Sequence, residues 1–231
     1  MEGISLVDVT YPSFRLLSAF ALALVVGCSS GPPAPPETEA NTYIERMQAK
    51  RTQKDAYFRD STDTDNPFVT LRMDQRQALL PLSYFPVNPQ YSVPASLNVA
   101  GEQPVYDMPT STGTQRKMRK VGTLEFTLNG APLTLGAFVP ASEPDLKSLF
   151  VPFSDLTTGV STYEAGRYLD IDRTMTGLYV IDFNNAYNPY CAYNPTYECP
   201  FPPPSNRMKV AIEAGERTKT APGATAGTPA S

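Results

Sequence analysis

From Tyr91 onward, apolar and polar residues alternate in short runs. YSVPASLNVA, QPVYDM and KMRKVGTLEFTL carry the two-residue period of strands with one buried face. Asn129-Gly130 separates LEFTL from APLTLGAFV, the strongest local hairpin signal in the chain. LKSLFVPF, GRYLDI and GLYVIDF continue the series to about seven strands. Ahead of them the pattern changes. Thr42 to Phe58 lacks proline and glycine and opens with Thr42-x-x-Glu45, which has the form of a capping box, so a helix is predicted there. Its apolar face is thin, with Ile44, Met47 and Tyr57 the main candidates. A second short helix is predicted over Met73 to Leu80, ended by Pro81. The pattern predicts a mainly β fold: a single antiparallel β-rich domain, closed as a barrel or folded over as a sandwich, with one or two N-terminal helices.

The ends read differently. Leu16 to Val26 is an unbroken, mostly apolar run, too short to cross a bilayer and suited to the apolar region of a signal peptide. V-V-G-C, Val25 to Cys28, resembles the lipobox of bacterial lipoproteins. The resemblance implies cleavage before Cys28, diacylglycerol on its sulfur, and acylation of the new amino terminus. Ser29 to Glu39 holds four prolines and almost nothing to bury; as an extended tether it reaches about 30 Å at ~3.1 Å per residue. Ser29 after the lipid-bearing cysteine points, by analogy, to the periplasmic side of an outer membrane in a cell that has two. Thr218 to Ser231 is small, polar and broken by proline. The expected organisation is a signal peptide over 1–27, a tether over 28–40, a β-rich domain over 41–217 and a disordered tail over 218–231. The expected partner is the membrane, through the lipid anchor, and the expected location is the cell envelope.

Composition narrows the chemistry. Twenty-four prolines argue against long helices through most of the chain. A net charge of −4 without long charged runs gives nucleic acid no electrostatic purchase. There is no histidine, which removes Ser-His-Asp and Cys-His arrangements and imidazole metal ligands. Any catalysis falls to carboxylates, Tyr, Lys or Cys. No glycine-rich nucleotide motif opens a helix, and no cofactor is predicted.

Two stretches are dense in groups that could do chemistry: Val151 to Asp170, and Asp182 to Arg207. Asp155 in SDLTTG suits a turn whose backbone N–H groups it accepts. It could instead pair with Asp170 or Asp182 for acid–base work, with Tyr163 or Arg167 positioning a substrate. Arg167 could bind a carboxylate across the sheet or clamp an anionic ligand. Asp182 and Asn184 end the last strand, where side chains leave the sheet and could meet Asp155 and Arg167. The candidate set is Asp155, Tyr163, Arg167, Asp182, Asn184 and Tyr187.

PFSDLTTG, TYEAGRYLD, DFNNAYNPYCAYNPTYECPFPPPSNRM and IEAGE, in that order, resemble the bacterial and archaeal family called domain of unknown function 1684. The likeness runs from about Lys54-Asp55 to Glu216. It places Asp155, Thr162, Tyr163, Gly166, Arg167, Asp182, Asn184, Tyr187, Asn188, Cys191, Cys199, Pro200 and Asn206 on the family's signature. It implies no activity. Three readings follow: a lipid-anchored envelope domain that binds a small molecule, a glycan or another protein; a histidine-free hydrolase built on a carboxylate pair; and a purely structural envelope protein.

With Cys28 taken by lipid, Cys191 and Cys199 remain, an even pair in a compartment that permits disulfides. Linking them would contribute roughly 2.5 kcal/mol by the chain-entropy estimate. Two Cys without His make a poor zinc site, so no metal is predicted. A redox pair and a pair of packed thiols are the other readings. Asn188-Pro189 and Asn194-Pro195, in the near-repeat AYNPYC and AYNPTYEC, predict two similar turns. The tyrosines from Tyr179 to Tyr197 either cover a thin core or form a stacking face for a ring-bearing ligand.

Overall fold

The protein is described by a computed structural model covering residues 37–60, 62–143, 145 and 147–219. Cys28, the expected signal peptide, most of the expected tether and the tail from residue 220 lie outside the described residues. Two α-helices, α1 (Glu37–Arg59) and α2 (Met73–Leu79), precede seven strands: β1 (Ser92–Val99), β2 (Val105–Pro109), β3 (Gln115–Leu128), β4 (Ala131–Pro140), β5 (Ser148–Phe153), β6 (Arg167–Asp172) and β7 (Leu178–Asp182). Each strand coincides with one of the alternating runs.

All pairings are antiparallel, in the order β6-β5-β4-β3-β1-β7. The sheet curls into a nearly closed, barrel-like form. β3 is the organising strand: β4 lies along one side, while β1 pairs with its second half and β2 with its first. A register shift between Lys120 and Gly122 bends it between those halves. Gly122 is required at the bend, because a Cβ there would run into the Asn98 carbonyl oxygen. Asn129 at φ 51° and Gly130 at φ 79° form the left-handed pair of a type I′ hairpin between β3 and β4.

Inward-facing Leu124, Leu135, Leu149, Phe153, Leu169 and Ile181 fill the interior, joined by Phe183 past the end of β7. The core is closed from below by a segment without regular structure: Met208, Ile212 and Ala214 belong to the same cluster. That segment is held by backbone bonds to two other loops, with Phe85 N donating to Gly215 O at 3.0 Å, Arg217 N to Ser83 O at 2.8 Å and Glu216 N to Ala186 O at 2.8 Å.

Helix α1 starts at Glu37, five residues before Thr42. Thr42 is not an N-cap: its hydroxyl donates back to Thr38 O at 3.0 Å, an interior i−4 bond. Residues 37–40, expected in the tether, are helical. The docking face is Tyr43, Met47, Arg51, Lys54 and Phe58, at spacings of three to four. It is largely polar: Tyr43 reaches Asp182, Arg51 donates to Phe85 O at 2.9 Å, and Lys54 pairs with Glu216. At the other end the order continues past Arg217, since Thr218 N donates to Ser161 O at 3.1 Å.

Candidate functional site

Asp155 and Arg167 come together beneath the loop after β5. Arg167 Nη2 donates to Asp155 Oδ2 at 2.9 Å, and both side chains are 0% exposed. The other carboxylate oxygen accepts Thr157 N at 2.8 Å, the Thr157 hydroxyl at 2.6 Å and Ile212 N at 3.2 Å. The guanidinium also donates to the Thr157 hydroxyl at 3.5 Å and to the backbone carbonyls of Ala214, Glu216 and Ile212. Burial lowers the Arg167 pKa, opposed by Asp155. Arg167 thus clamps the strandless C-terminal segment, supplying donors that a neighbouring strand would otherwise provide.

Asp182 and Asn184 form a separate network. Asp182 accepts the Tyr43 hydroxyl at 2.7 and 2.9 Å on its two oxygens, and Asn184 N at 3.0 Å. Asn184 exchanges two bonds with the Asn88 backbone, at 2.9 and 2.8 Å. Burial, then Asp182, raises the Tyr43 pKa. Tyr187 donates to Asp170 Oδ2 at 2.6 Å. The protein around Asp170 raises its carboxyl, against the pull of Tyr187 and Lys54. Among the described residues Asp155, Asp170 and Asp182 share neither a hydrogen bond nor a common hydrogen-bond partner, and no two of them come together as an acid–base pair. Asp182 and Asn184 do not meet Asp155 and Arg167.

Tyr163 lies elsewhere again, its hydroxyl 3.9 Å from Cys191 Sγ. The expected disulfide is not formed: Cys191 and Cys199 are free, buried thiols. They are nevertheless in contact, with Cys191 N donating to Cys199 Sγ at 3.2 Å. The two Asn-Pro halves also part company. Asn194 makes a local turn, accepting Thr196 N at 3.1 Å, whereas Asn188 reaches out, its N–H donating to Glu216 Oε2 at 2.8 Å. Among the described residues no group of three or more Cys, Asp or Glu converges to hold a metal ion.

The open surface beside these networks centres on a residue that the sequence reading left without a role, Arg207. Two clefts, of about 610 and 640 Å³, meet at Arg207 and Met208. The first is walled by Ser154, Thr158, Glu164, Phe201 and Pro202, the second by Glu125, Thr127, Thr134, Ser205 and Lys209. The position is built from below. Asn206 is wholly buried; its amide donates to Gly136 O at 2.9 Å and Pro152 O at 2.7 Å, and its oxygen accepts Gly136 N at 2.8 Å. Ser154 exchanges backbone bonds across the same point, its N–H donating to Asn206 O at 3.1 Å and its carbonyl accepting Met208 N at 2.8 Å. Gly166, at φ 87°, lets the wall close, since a Cβ would stand 2.5 Å from Phe153 O and 2.8 Å from Pro202 Cγ. Arg207 is exposed, and among the described residues its guanidinium has no ion pair. The signal available in the sequence was the Asn206-Arg207 step itself, a buried amide fixing the next side chain outward.

Of the signature residues, Asp155 lines the first cleft, while Gly166, Arg167 and Asn206 adjoin residues that line it. The family described as Protein of unknown function (DUF1684) matches residues 77–217. No curated protein matches the chain. The chain is similar to an uncharacterized protein of Haloarcula marismortui solved by solution NMR, with 36% identity over 79% of this chain and 98% of that one and a TM-score of 0.60. With the family match extending over more than half its length, the chain belongs to the DUF1684 family of proteins of unknown function.

Proposed function

We propose that the protein is a binding domain of the cell envelope, held by lipid at Cys28, whose ligand seat is the cleft between Glu164 and Arg207. The observation that carries the binding reading is Arg207: an exposed side chain, without an ion pair among the described residues, on backbone seated by the buried Asn206 amide at the meeting of two clefts. Guanidinium groups suit carboxylate and phosphate. Phe201, Pro202 and Met208 offer an apolar wall to the body of the ligand, and Ser154 and Thr158 offer hydroxyls. A volume near 600 Å³ falls within the range of small-molecule sites. The ligand class is therefore a small anion with an apolar or ring-bearing body, acidic sugars included. The hydrolase reading is weaker, because the buried and strand-end carboxylates are occupied by structural partners.

The test has two arms. Native mass spectrometry and thermal shift of residues 37–219 against carboxylate- and phosphate-bearing metabolites and glycans should identify a ligand whose affinity falls at least ~10-fold in Arg207→Ala, the loss of one charge-assisted contact. Equal affinity in the variant would refute the cleft. For the anchor, the full chain expressed in a bacterial host should incorporate labelled fatty acid; label retained by Cys28→Ala would refute lipidation there.

A further inference from the structure

The thiol pair carries a second reading, independent of the cleft. Cys191 sits in a single 3-10 turn, Tyr190–Ala192, and Cys199 in the chain leading to Pro200. The turn places the Cys191 N–H on Cys199 Sγ at 3.2 Å, and the Tyr163 hydroxyl approaches Cys191 Sγ at 3.9 Å. Ser111 fastens the far side: its Oγ accepts Cys199 N at 3.1 Å, and its N–H donates to Cys199 O at 3.0 Å. The two thiols are thus packed in one buried cluster and positioned by groups from three separate segments.

We infer that Cys191 and Cys199 form a reversible dithiol–disulfide couple, Cys191 being the attacking sulfur and Cys199 the resolving one, with a small or protein disulfide as oxidant. In the first step the Cys191 thiolate attacks one sulfur of the oxidant, forming a mixed disulfide and expelling one thiolate, which takes a proton from solvent. In the second, Cys199 gives its proton to solvent and attacks the Cys191 sulfur, expelling the second thiolate. The net change is protein dithiol plus disulfide going to protein disulfide plus two thiols. The asymmetry follows from the contacts. The Tyr163 hydroxyl points to Cys191 Sγ at 3.9 Å and the Cys199 thiol packs beside it, two donors that stabilise a thiolate there. The Cys199 thiol is held protonated while Cys191 is charged. Once Cys191 is capped, its N–H remains aimed at Cys199 Sγ, where the second thiolate develops.

The experiment equilibrates the full chain carrying Cys28→Ala, so that Cys191 and Cys199 are its only thiols, in buffers of reduced and oxidised glutathione, quenches with an alkylating agent and reads the thiol state by mass spectrometry. The expected result is a direct conversion from doubly alkylated protein to an unalkylated species two mass units lighter, reversed by reductant. Cys199→Ser, which keeps a hydroxyl donor beside Cys191, should accumulate a glutathione adduct there, and Cys191→Ser should form an adduct at Cys199 several-fold more slowly at neutral pH, since that thiol lacks the Tyr163 hydroxyl contact. Circular dichroism establishes that both variants are folded. Two alkylatable thiols at every glutathione ratio in the wild type would overturn the couple; equal adduct rates in the two variants would overturn the assignment of roles.

Discussion

Arg167 and Asp155 form an ion pair at 2.9 Å with neither side chain exposed, and both are spent on the backbone as well as on each other. Three carbonyls between Ile212 and Glu216 accept from the same guanidinium. In a segment without a strand partner, those bonds decide whether Ile212 and Ala214 stay in the core.

Arg167→Met should therefore destabilise the protein by about 3–5 kcal/mol, because it leaves the Asp155 charge buried without its cation and orphans several carbonyls. Asp155→Ala should cost a comparable amount. The double variant should cost much less than the sum of the two, as expected for groups in one network. Urea denaturation followed by circular dichroism measures all three; additive losses would show that the pair is not coupled.

Asn206 offers a second test, since its amide satisfies both backbone groups of Gly136 and the carbonyl of Pro152. Asn206→Ala should cost about 1–3 kcal/mol for each buried group left unpaired that water cannot reach. Asn206→Asp should be worse, since a carboxylate would face two carbonyl oxygens. Stability comparable to wild type in the aspartate variant would mean that the site is open to solvent, contrary to the burial of this residue.

β1 and much of β3 were legible because one face is packed and the other wet, so burial writes itself into the sequence with period two, whereas β4, β5 and β6, buried on both faces in part, were legible as short apolar runs bounded by turns; the Asn129-Gly130 turn was legible because few other pairs tolerate two positive φ angles. Helix α1 was only partly legible. Its docking stripe is Tyr43, Arg51 and Lys54 as much as Met47 and Phe58, and a polar stripe leaves little hydrophobic periodicity to read. The segment from Met208 to Glu216 was not legible as core, since its backbone bonds go to distant loops and to the Arg167 side chain rather than to a neighbouring strand. The candidate residues are polar and dense in the sequence, but their sorting into four separate groups depends on long-range contacts such as Tyr43 with Asp182, 139 positions apart.

Lys54 joins the helix to the C-terminal segment. Its ammonium pairs with Glu216, a residue only 1% exposed whose other oxygen accepts the Tyr193 hydroxyl at 2.5 Å and Asn188 N at 2.8 Å. Lys54→Met should cost about 1–3 kcal/mol by leaving that carboxylate with neutral donors alone. Adding Glu216→Gln should recover part of the loss. Thermal unfolding of the single and double variants is the measurement, and a double variant less stable than Lys54→Met would contradict the charge argument.

The thiols give a pH dependence whose sign is fixed by their contacts. The Cys199 S–H lowers Cys191 from its usual 9.0 to about 6, with Tyr163 helping and burial opposing. Between about pH 6 and 9 the unfolded chain therefore binds a proton at this position that the folded chain does not. Stability contributed by Cys191 rises through that window, is complete near pH 9 and is absent below about 6. Above 9 the Cys199 thiol, raised by the neighbouring Cys191 sulfur and by burial, pulls in the opposite direction. Under reducing conditions, thiolate absorbance of the folded protein should titrate near pH 6 and vanish in Cys191→Ser. Tyr163→Phe should move the midpoint upward, since one donor to the thiolate is lost. The difference in denaturation midpoint between wild type and Cys191→Ser should grow in favour of wild type from pH 6 to 9. A thiolate that titrates near 9 in the folded protein would remove both the pH effect and the preference for Cys191 as the attacking sulfur.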